Sequence, residues 1–404
     1  MPIQTRKPRI LWANTYCMLD TSSGAAMAVR ETLVELKKRG YEIKVLGATV
    51  FDAERGITRF KPHWDKVTSN TGKFIAFEDQ GVEHELLCTA STSTDQKSSK
   101  EINTWYARYV ATLDSFKPDL VYFFGGSVPE LSVPDEARRR GIPSVSYLAN
   151  GSYQGTRWCE DVDRIITPSK ATADKYAEVL DKPIFPVGGI INERSVISDT
   201  HHRRNVLFIN PCLSKGAAIV AKLAAYFEKT RPDITFEIVE SRGSWPAVLE
   251  ALASSSDGIP QRLSNVILTS NTLDMRPVYG RARILLAPSL WYEALGRVAV
   301  EAMMNGIPAI VTNRGGLPGV VQDGGMKINF PEKCYEAPYT LVPSTKVLMP
   351  MVKAIEAFHD DQGLYEGYAR RAAAIGKTYT LKATVDRIEA AFEPLLEKRA
   401  GDNL

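Results

Sequence analysis

Strand-like apolar runs alternate with amphipathic helical segments along most of the chain, and this limits the fold more than any other feature. "RILWA" (9–13) reads as a buried strand, and "GAAMAVRETLVELKKRG" (24–40) as an amphipathic helix closed by Gly40. "YEIKVLGAT" (41–49), "DLVYFFGG" (119–126) and "PSVSYLAN" (143–150) are further strands, and "RIITPSKATADKYAEVL" (164–180) is a strand, a turn and a helix with Ser169 as N-cap. The pattern pauses over about 186–204, where glycines and turn residues mark an interdomain linker. It restarts with strand "NVLFIN" (205–210) and helix "KGAAIVAKLAAYFEKT" (215–230). Strands follow at 234–241, 265–270, 283–289 and 308–313, a helix at 296–306, and a helical tail over 344–398. Alternation of this kind predicts an α/β fold of parallel sheets with helices on both faces. Two Rossmann-like domains, 1–190 and 191–380, should face each other across a cleft at the carboxyl ends of their strands. A C-terminal helix, 381–404, is free to pack back on the first domain. Val50 to Ser99 reads as loop-rich.

The overall make-up removes several classes of function. At 404 residues the chain is long enough for two domains with substantial cores. A formal net charge of +3, with no single-sign stripe, argues against nucleic acid as a partner. The clusters Arg138-Arg139-Arg140 and His201-His202-Arg203-Arg204 read as a solvated helix end and linker. The five cysteines are scattered without metal-ligand spacing, which suits a reduced, cytoplasmic chain. No run of eighteen apolar residues predicts a membrane span, although peripheral membrane contact stays open.

The stretch "WYEALGRVAVEAM" (291–303) raises a sharper question. Glu293 falls in the loop after a strand, whereas Glu301 lies inside a helix whose neighbours Val298, Ala299, Val300, Ala302 and Met303 look buried all round. A buried carboxylate needs a partner. That partner is either a core cation or backbone amide, or a pair of ligand hydroxyls. Between the two acids, the amides of Leu295, Gly296 and Arg297 open a helix N-terminus, a ready anion site. Hydroxyls, diphosphate and ribose hydroxyls of a nucleotide sugar have the same layout. The other explanation is an ordinary structural helix start. Three more loops point the same way. Lys215 precedes Gly216 at a helix start, where its charge would add to an anion site. "TSSGAA" (21–26), with Gly24, is a small-residue loop whose amides could face a diphosphate. "TNRGGLPG" (312–319), with Arg314, could close around a sugar.

"PSLWYEALGRVAVEAMMNGIPAIVTNRGGLPGVV" resembles the donor-site signature of family-4 retaining glycosyltransferases of the GT-B fold. The shared elements are two glutamates with seven residues between them (Glu293 and Glu301), a "G-P-x-V"-like strand and a "GGLP" loop. "LFINPCLSKGAAIVAKLA" resembles the family's preceding element, and the likeness spans about 205–325. The resemblance implies that Glu293 holds donor sugar hydroxyls and Glu301 the ribose. It also implies that Lys215 and the amides of Leu295 to Arg297 hold the diphosphate, with Lys215 and Glu293 as catalytic groups.

This chain departs from the family pattern at four places. Asn210 stands where many relatives have an arginine; Arg297 or Arg314 would have to compensate. "YLANGSYQG" (147–155) lacks the usual first-domain histidine, leaving Asn150 or Tyr153 as the sugar-facing group. Gly319 replaces a common acidic residue, and the first-domain glycine pair is reduced to Ser23-Gly24.

The reading implied is a cytoplasmic, retaining hexosyltransferase that uses a nucleotide diphosphate sugar and requires no metal or other cofactor. Its acceptor is a hydroxyl of a glycan, a lipid-linked carrier or a small molecule. The alternatives are an epimerase of the same fold and a non-catalytic sugar-nucleotide binding protein.

Overall fold

A computed structural model describes residues 7–253 and 259–402. Contacts divide the chain into two units: unit 1 is Met1–Ile190 with Leu381–Leu404, and unit 2 is Ile191–Thr380.

Unit 1 is built on eight strands: β1 (Arg9–Ala13), β2 (Glu42–Ala48), β3 (Phe74–Asp79), β4 (Val82–Leu87), β5 (Leu120–Phe123), β6 (Ser144–Tyr147), β7 (Arg164–Thr167) and β8 (Ile184–Pro186). They lie in the order β3-β4-β2-β1-β5-β6-β7-β8. The helices are α1 (Gly24–Lys38), α2 (Trp64–Thr68), α3 (Ser99–Phe116), α4 (Ser132–Arg139) and α5 (Lys170–Ala177). Strands β1, β5 and β6 are apolar or small along nearly their whole length because helices cover both faces of the sheet.

One expectation needs correction here. The segment 50–99 is not merely loop: β3 and β4 form an antiparallel hairpin, turned at Gln80 (φ 50°) and Gly81 (φ 80°). The sheet is therefore mixed, with β3 as an antiparallel edge, a common finish to a parallel sheet. The hairpin's own apolar cluster joins Phe51, Phe60, Val67, Ile75 and Leu86.

Unit 2 carries β9 (Asn205–Ile209), β10 (Phe236–Val239), β11 (Val266–Thr269), β12 (Ala282–Ala287), β13 (Ala309–Thr312) and β14 (Gly325–Ile328). They are all parallel, in the order β11-β10-β9-β12-β13-β14. Its helices are α6 (Ala217–Thr230), α7 (Trp245–Ala253), α8 (Arg276–Arg281), α9 (Arg297–Met304), α10 (Leu317–Val321), α11 (Thr345–Asp360) and α12 (Gln362–Gly376). Leu285 on β12 is fully buried, so truncating it to alanine should cost about 2–5 kcal/mol.

The chain returns to unit 1 in α13 (Leu381–Asp402). Leu381, Val385, Ile388 and Phe392 join the same apolar cluster as Ile10, Trp12, Leu33 and Tyr122. The hydroxyl of Thr384 donates to the Gly189 carbonyl at 2.8 Å, and Arg387 Nε donates to the Val187 carbonyl at 2.6 Å.

Strand order reverses between β1 and β5 in unit 1 and between β9 and β12 in unit 2. At such a switch point the loops leave in opposite directions and open a crevice at the carboxyl edge, where ligands of α/β proteins bind.

Candidate active site

The loops after β9 and β12 bring the sequence-singled residues of unit 2 together. After β9, Asn210 adopts φ 64°, and its Oδ1 accepts the amides of Arg242 and Gly243, each at 3.1 Å. One short turn, Leu213–Lys215, then leads to Gly216 at the start of α6. Gly216 has φ 85°, and a Cβ there would lie 2.3 Å from the Pro288 carbonyl oxygen. Only glycine allows the two loops to meet this closely. The Ser214 carbonyl accepts the amides of Leu290 and Trp291, both at 2.9 Å. This seam sets Lys215 beside Glu293.

Lys215 Nζ forms an ion pair with Glu293 Oε1, and Ser289 Oγ donates to the same oxygen at 2.9 Å. The two charged side chains are 22% and 17% exposed, so solvent and solutes reach both. Behind Glu293, Gly316 donates its amide to the Glu293 carbonyl at 2.7 Å. A Cβ on Gly315 would sit 2.3 Å from that carbonyl oxygen. The glycine-rich loop thus braces the Glu293 backbone instead of standing apart from it.

Gly296, with φ 91°, caps α9, and a Cβ there would strike Leu317 at 2.3 Å. The amides of Leu295 and Gly296 meet no acceptor among the described residues. They open an eight-residue helix whose dipole favours an anion at this end. The helix begins at Arg297 and Val298 is only half-buried, so the buried stretch is shorter than its apolar residues suggest.

Glu301 is 5% exposed. Its Oε1 accepts Arg297 Nε and its Oε2 accepts the Tyr279 hydroxyl, both at 2.6 Å. The core partners of this acid are therefore an arginine one turn earlier and a tyrosine from α8. Burial, with the Glu301 charge adding to it, holds the Tyr279 phenol well above its ordinary range. Sequence reasoning missed Tyr279, because a buried tyrosine in an apolar stretch looks like ordinary core. Of the two arginines offered in place of a cation at 210, Arg297 is paired with Glu301. Arg314 turns toward the loop after β14, stacked 4.4 Å over Tyr335 and 3.6 Å from Glu332. The Gly319 position has nothing within 4 Å of a built Cβ.

The first-domain candidates are occupied by local structure. Gly24 is the exposed first residue of α1, whose cap Ser23 accepts the Ala26 amide at 3.4 Å. Asn150 Oδ1 accepts the amide and hydroxyl of Ser152, at 3.0 and 2.6 Å, which closes a turn. The Tyr153 hydroxyl donates inward to the Phe124 carbonyl at 3.3 Å, and its ring lies edge-on to Trp158 at 4.9 Å.

One buried charged group at this carboxyl edge was not singled out by the sequence reading. Glu130 is 1% exposed and accepts Asn14 Nδ2 at 2.6 Å. Burial pushes its carboxyl up to about 7, against the opposing pull of Lys97. Lys97 in turn donates to Thr15 Oγ1 at 2.8 Å. The only sequence signal was S-x-x-E (Ser127 to Glu130), which looks like a helix capping box.

Among the described residues, no group of three or more His, Cys, Asp or Glu is arranged to hold a metal, and no helix is long and apolar enough to cross a membrane.

Comparison with known proteins gives the same outline. Residues 199–337 match the family model of glycosyl transferases group 1, the stretch that contains Lys215, Glu293 and Glu301. Sucrose-phosphate synthase from Thermosynechococcus elongatus superposes with a TM-score of 0.72 at 14% identity, covering 97% of this chain and 100% of that one. Anabaena Alr3699/HepE, solved in complex with UDP-glucose, superposes at 0.68 with 13% identity, covering 96% and 100%. The fold is GT-B. Among curated proteins, alpha-maltose-1-phosphate synthase of Mycolicibacterium smegmatis is 28% identical over 123 residues, 29% of this chain and 32% of that one. The matched segments span less than a third of the length of each curated relative. Family match and fold together support a glycosyltransferase.

Proposed function

We propose that this protein is a retaining glycosyltransferase that moves a hexose from a nucleotide diphosphate sugar to an acceptor hydroxyl in the cytoplasm. The observation that carries the reading is the convergence of Lys215, Glu293 and the open start of α9 at the switch point of unit 2. In this reading the diphosphate takes Lys215 and the amides of Leu295 to Arg297, while the sugar hydroxyls take Glu293. Glu301 keeps Tyr279 and Arg297 and uses its remaining lone pairs on the ribose. As the glycosidic bond breaks, charge grows on the departing diphosphate. Lys215 and the helix amides stabilise that charge more than they stabilise the ground state, which is the source of rate. No metal or other cofactor enters this scheme.

The Lys215–Glu293 pair gives the reading a chemical consequence. A diphosphate alone draws Lys215 away and leaves Glu293 with only the Ser289 hydroxyl. An intact donor supplies a partner to each group. The donor should therefore bind tighter than its nucleoside diphosphate product.

The test is a thermal-shift panel of nucleotide sugars, beginning with UDP-glucose, since the Anabaena structure holds that compound. Transfer to acceptor candidates would follow, with the anomeric configuration of the product read by NMR. Stabilisation by one donor together with transfer and retained configuration is expected. Binding without transfer or hydrolysis would leave a sugar-nucleotide binding protein, and a C2-epimerised donor would mean an epimerase.

A further inference from the structure

Arg203, read from sequence as part of a solvated linker cluster, folds instead against the far end of α9. Its backbone stands in the left-handed region at φ 53°, a conformation that costs a non-glycine residue energy and that surrounding structure must hold. Its Nη2 donates to the Asn305 carbonyl at 2.6 Å, just past the last turn of α9. The Nη1 atom is buried and meets no acceptor among the described residues, and no carboxylate pairs with this guanidinium there. Burial and the neighbouring Arg283 both press against its charge.

Arg203 lines an open pocket of about 400 Å³ within unit 2. His201 and Gly306 also line it, as does one stripe of α12, with Glu366, Ala369 and Arg370. Arg370 is mostly exposed and stands 3.9 Å from Glu366, too far and too solvated to be neutralised by it. A small-molecule-sized hollow with two under-used guanidiniums and a single carboxylate at its rim is matched to an oxyanion. Glu366 is then placed to accept a hydroxyl of the same ligand.

We propose that this cavity binds a small phosphomonoester, with Arg203 and Arg370 on the phosphate and Glu366 on a ligand hydroxyl. A helix-capping role alone does not account for this side chain: capping uses only Nη2, and the half-buried charge is left without an anionic partner among the described residues. The proposal does not depend on glycosyl transfer.

The experiment is calorimetric titration with inorganic phosphate and with glycerol 3-phosphate, at ionic strength held constant with chloride. It uses Lys215→Ala protein, so that the α9 start does not contribute the signal. Saturable binding is expected, tighter for glycerol 3-phosphate. Arg203→Gln in that background should weaken it by at least about tenfold, and Arg370→Gln by about threefold. Should Arg203→Gln not fold, Ala369→Glu places a carboxylate in the cavity without touching the Arg203–Asn305 bond, and should abolish binding. Absence of saturable binding in the Lys215→Ala protein overturns the proposal. So does binding that survives Arg203→Gln or Ala369→Glu unchanged.

Discussion

At the carboxyl edge of unit 1, between β1 and β5, polar groups satisfy one another. Asn14 holds Glu130, Thr15 holds Lys97, and Asp20 accepts the Ser22 amide and hydroxyl and the Asp52 amide, each at 2.7 Å. A Cβ on Gly56 would fall 2.1 Å from Asp20 Oδ1, so the loop after β2 seals this edge tightly. At the matching edge of unit 2, between β9 and β12, Lys215 and Glu293 are part-exposed, and two amides ahead of α9 have no acceptor among the described residues. The same topology thus yields one edge whose charges are buried in loop contacts and one whose charges form a part-exposed ion pair. Burial and saturation of hydrogen bonds separate the two, not the kinds of residue present.

That contrast is open to direct attack, most severely at Lys215. Replacing it with alanine should lower turnover by about a hundred- to thousandfold, or 2.7–4 kcal/mol, and weaken donor binding less. Turnover and donor dissociation constants check this; a loss under about threefold would return Lys215 to an ordinary surface role.

Glu130 probes the opposite edge. Its carboxyl is raised to about 7, so the folded chain binds its proton more tightly than the unfolded chain does. The group's contribution is therefore favourable below the unfolded value and is lost as pH rises through about 7. Glu130→Gln keeps an acceptor for Asn14 and removes the titration. Its stability relative to wild type should rise between about pH 4.5 and pH 7, reaching a gain of about 3 kcal/mol. Urea unfolding of both proteins across that range tests it, and parallel pH profiles would show that Glu130 titrates normally.

Glu301 lies between these extremes, saturated by core partners yet adjoining the proposed phosphate site. Glu301→Gln should weaken nucleotide binding by about 1.5–3 kcal/mol while the protein stays folded. If calorimetry shows full affinity and the melting temperature collapses, the acid belongs wholly to the core with Tyr279 and Arg297. The smallest effect is expected at Asn150. With its side chain closing a turn, Asn150→Ala should cost about 1 kcal/mol of stability and change turnover less than about threefold. A tenfold turnover loss at constant stability would mean that this edge of unit 1 handles substrate after all.

Most of the architecture was written in apolar periodicity. β1, β9 and β12 are mostly apolar because both faces are buried, and that signal survives without any knowledge of partners. The β3–β4 hairpin was not legible in the same way. β3 is an edge strand with alternate residues exposed, and its turn uses Gln80 where Asn or Asp is the usual cue. At the candidate site, Lys215, Glu293 and Gly296 stood out because their residue types are unusual in an apolar setting. Tyr279 and Glu130 did not, since one resembles core and the other a helix cap. Their roles come from long-range contacts, Tyr279 with Glu301 and Glu130 with Asn14, that no local spacing encodes. Arg203 was hidden for a related reason, its guanidinium meeting the Asn305 carbonyl, a contact far apart in sequence.

The return of α13 to unit 1 sets an order of events during synthesis. A ribosome that has released the first 190 residues has not yet made Val385, Ile388 or Phe392, all fully buried in the unit 1 core. The nascent first unit must wait with that apolar face uncovered while some 190 further residues, Ile191–Thr380, emerge and fold. The unit begun first is the unit finished last, and its exposed face during that interval is where a chaperone or a neighbouring nascent chain would meet it.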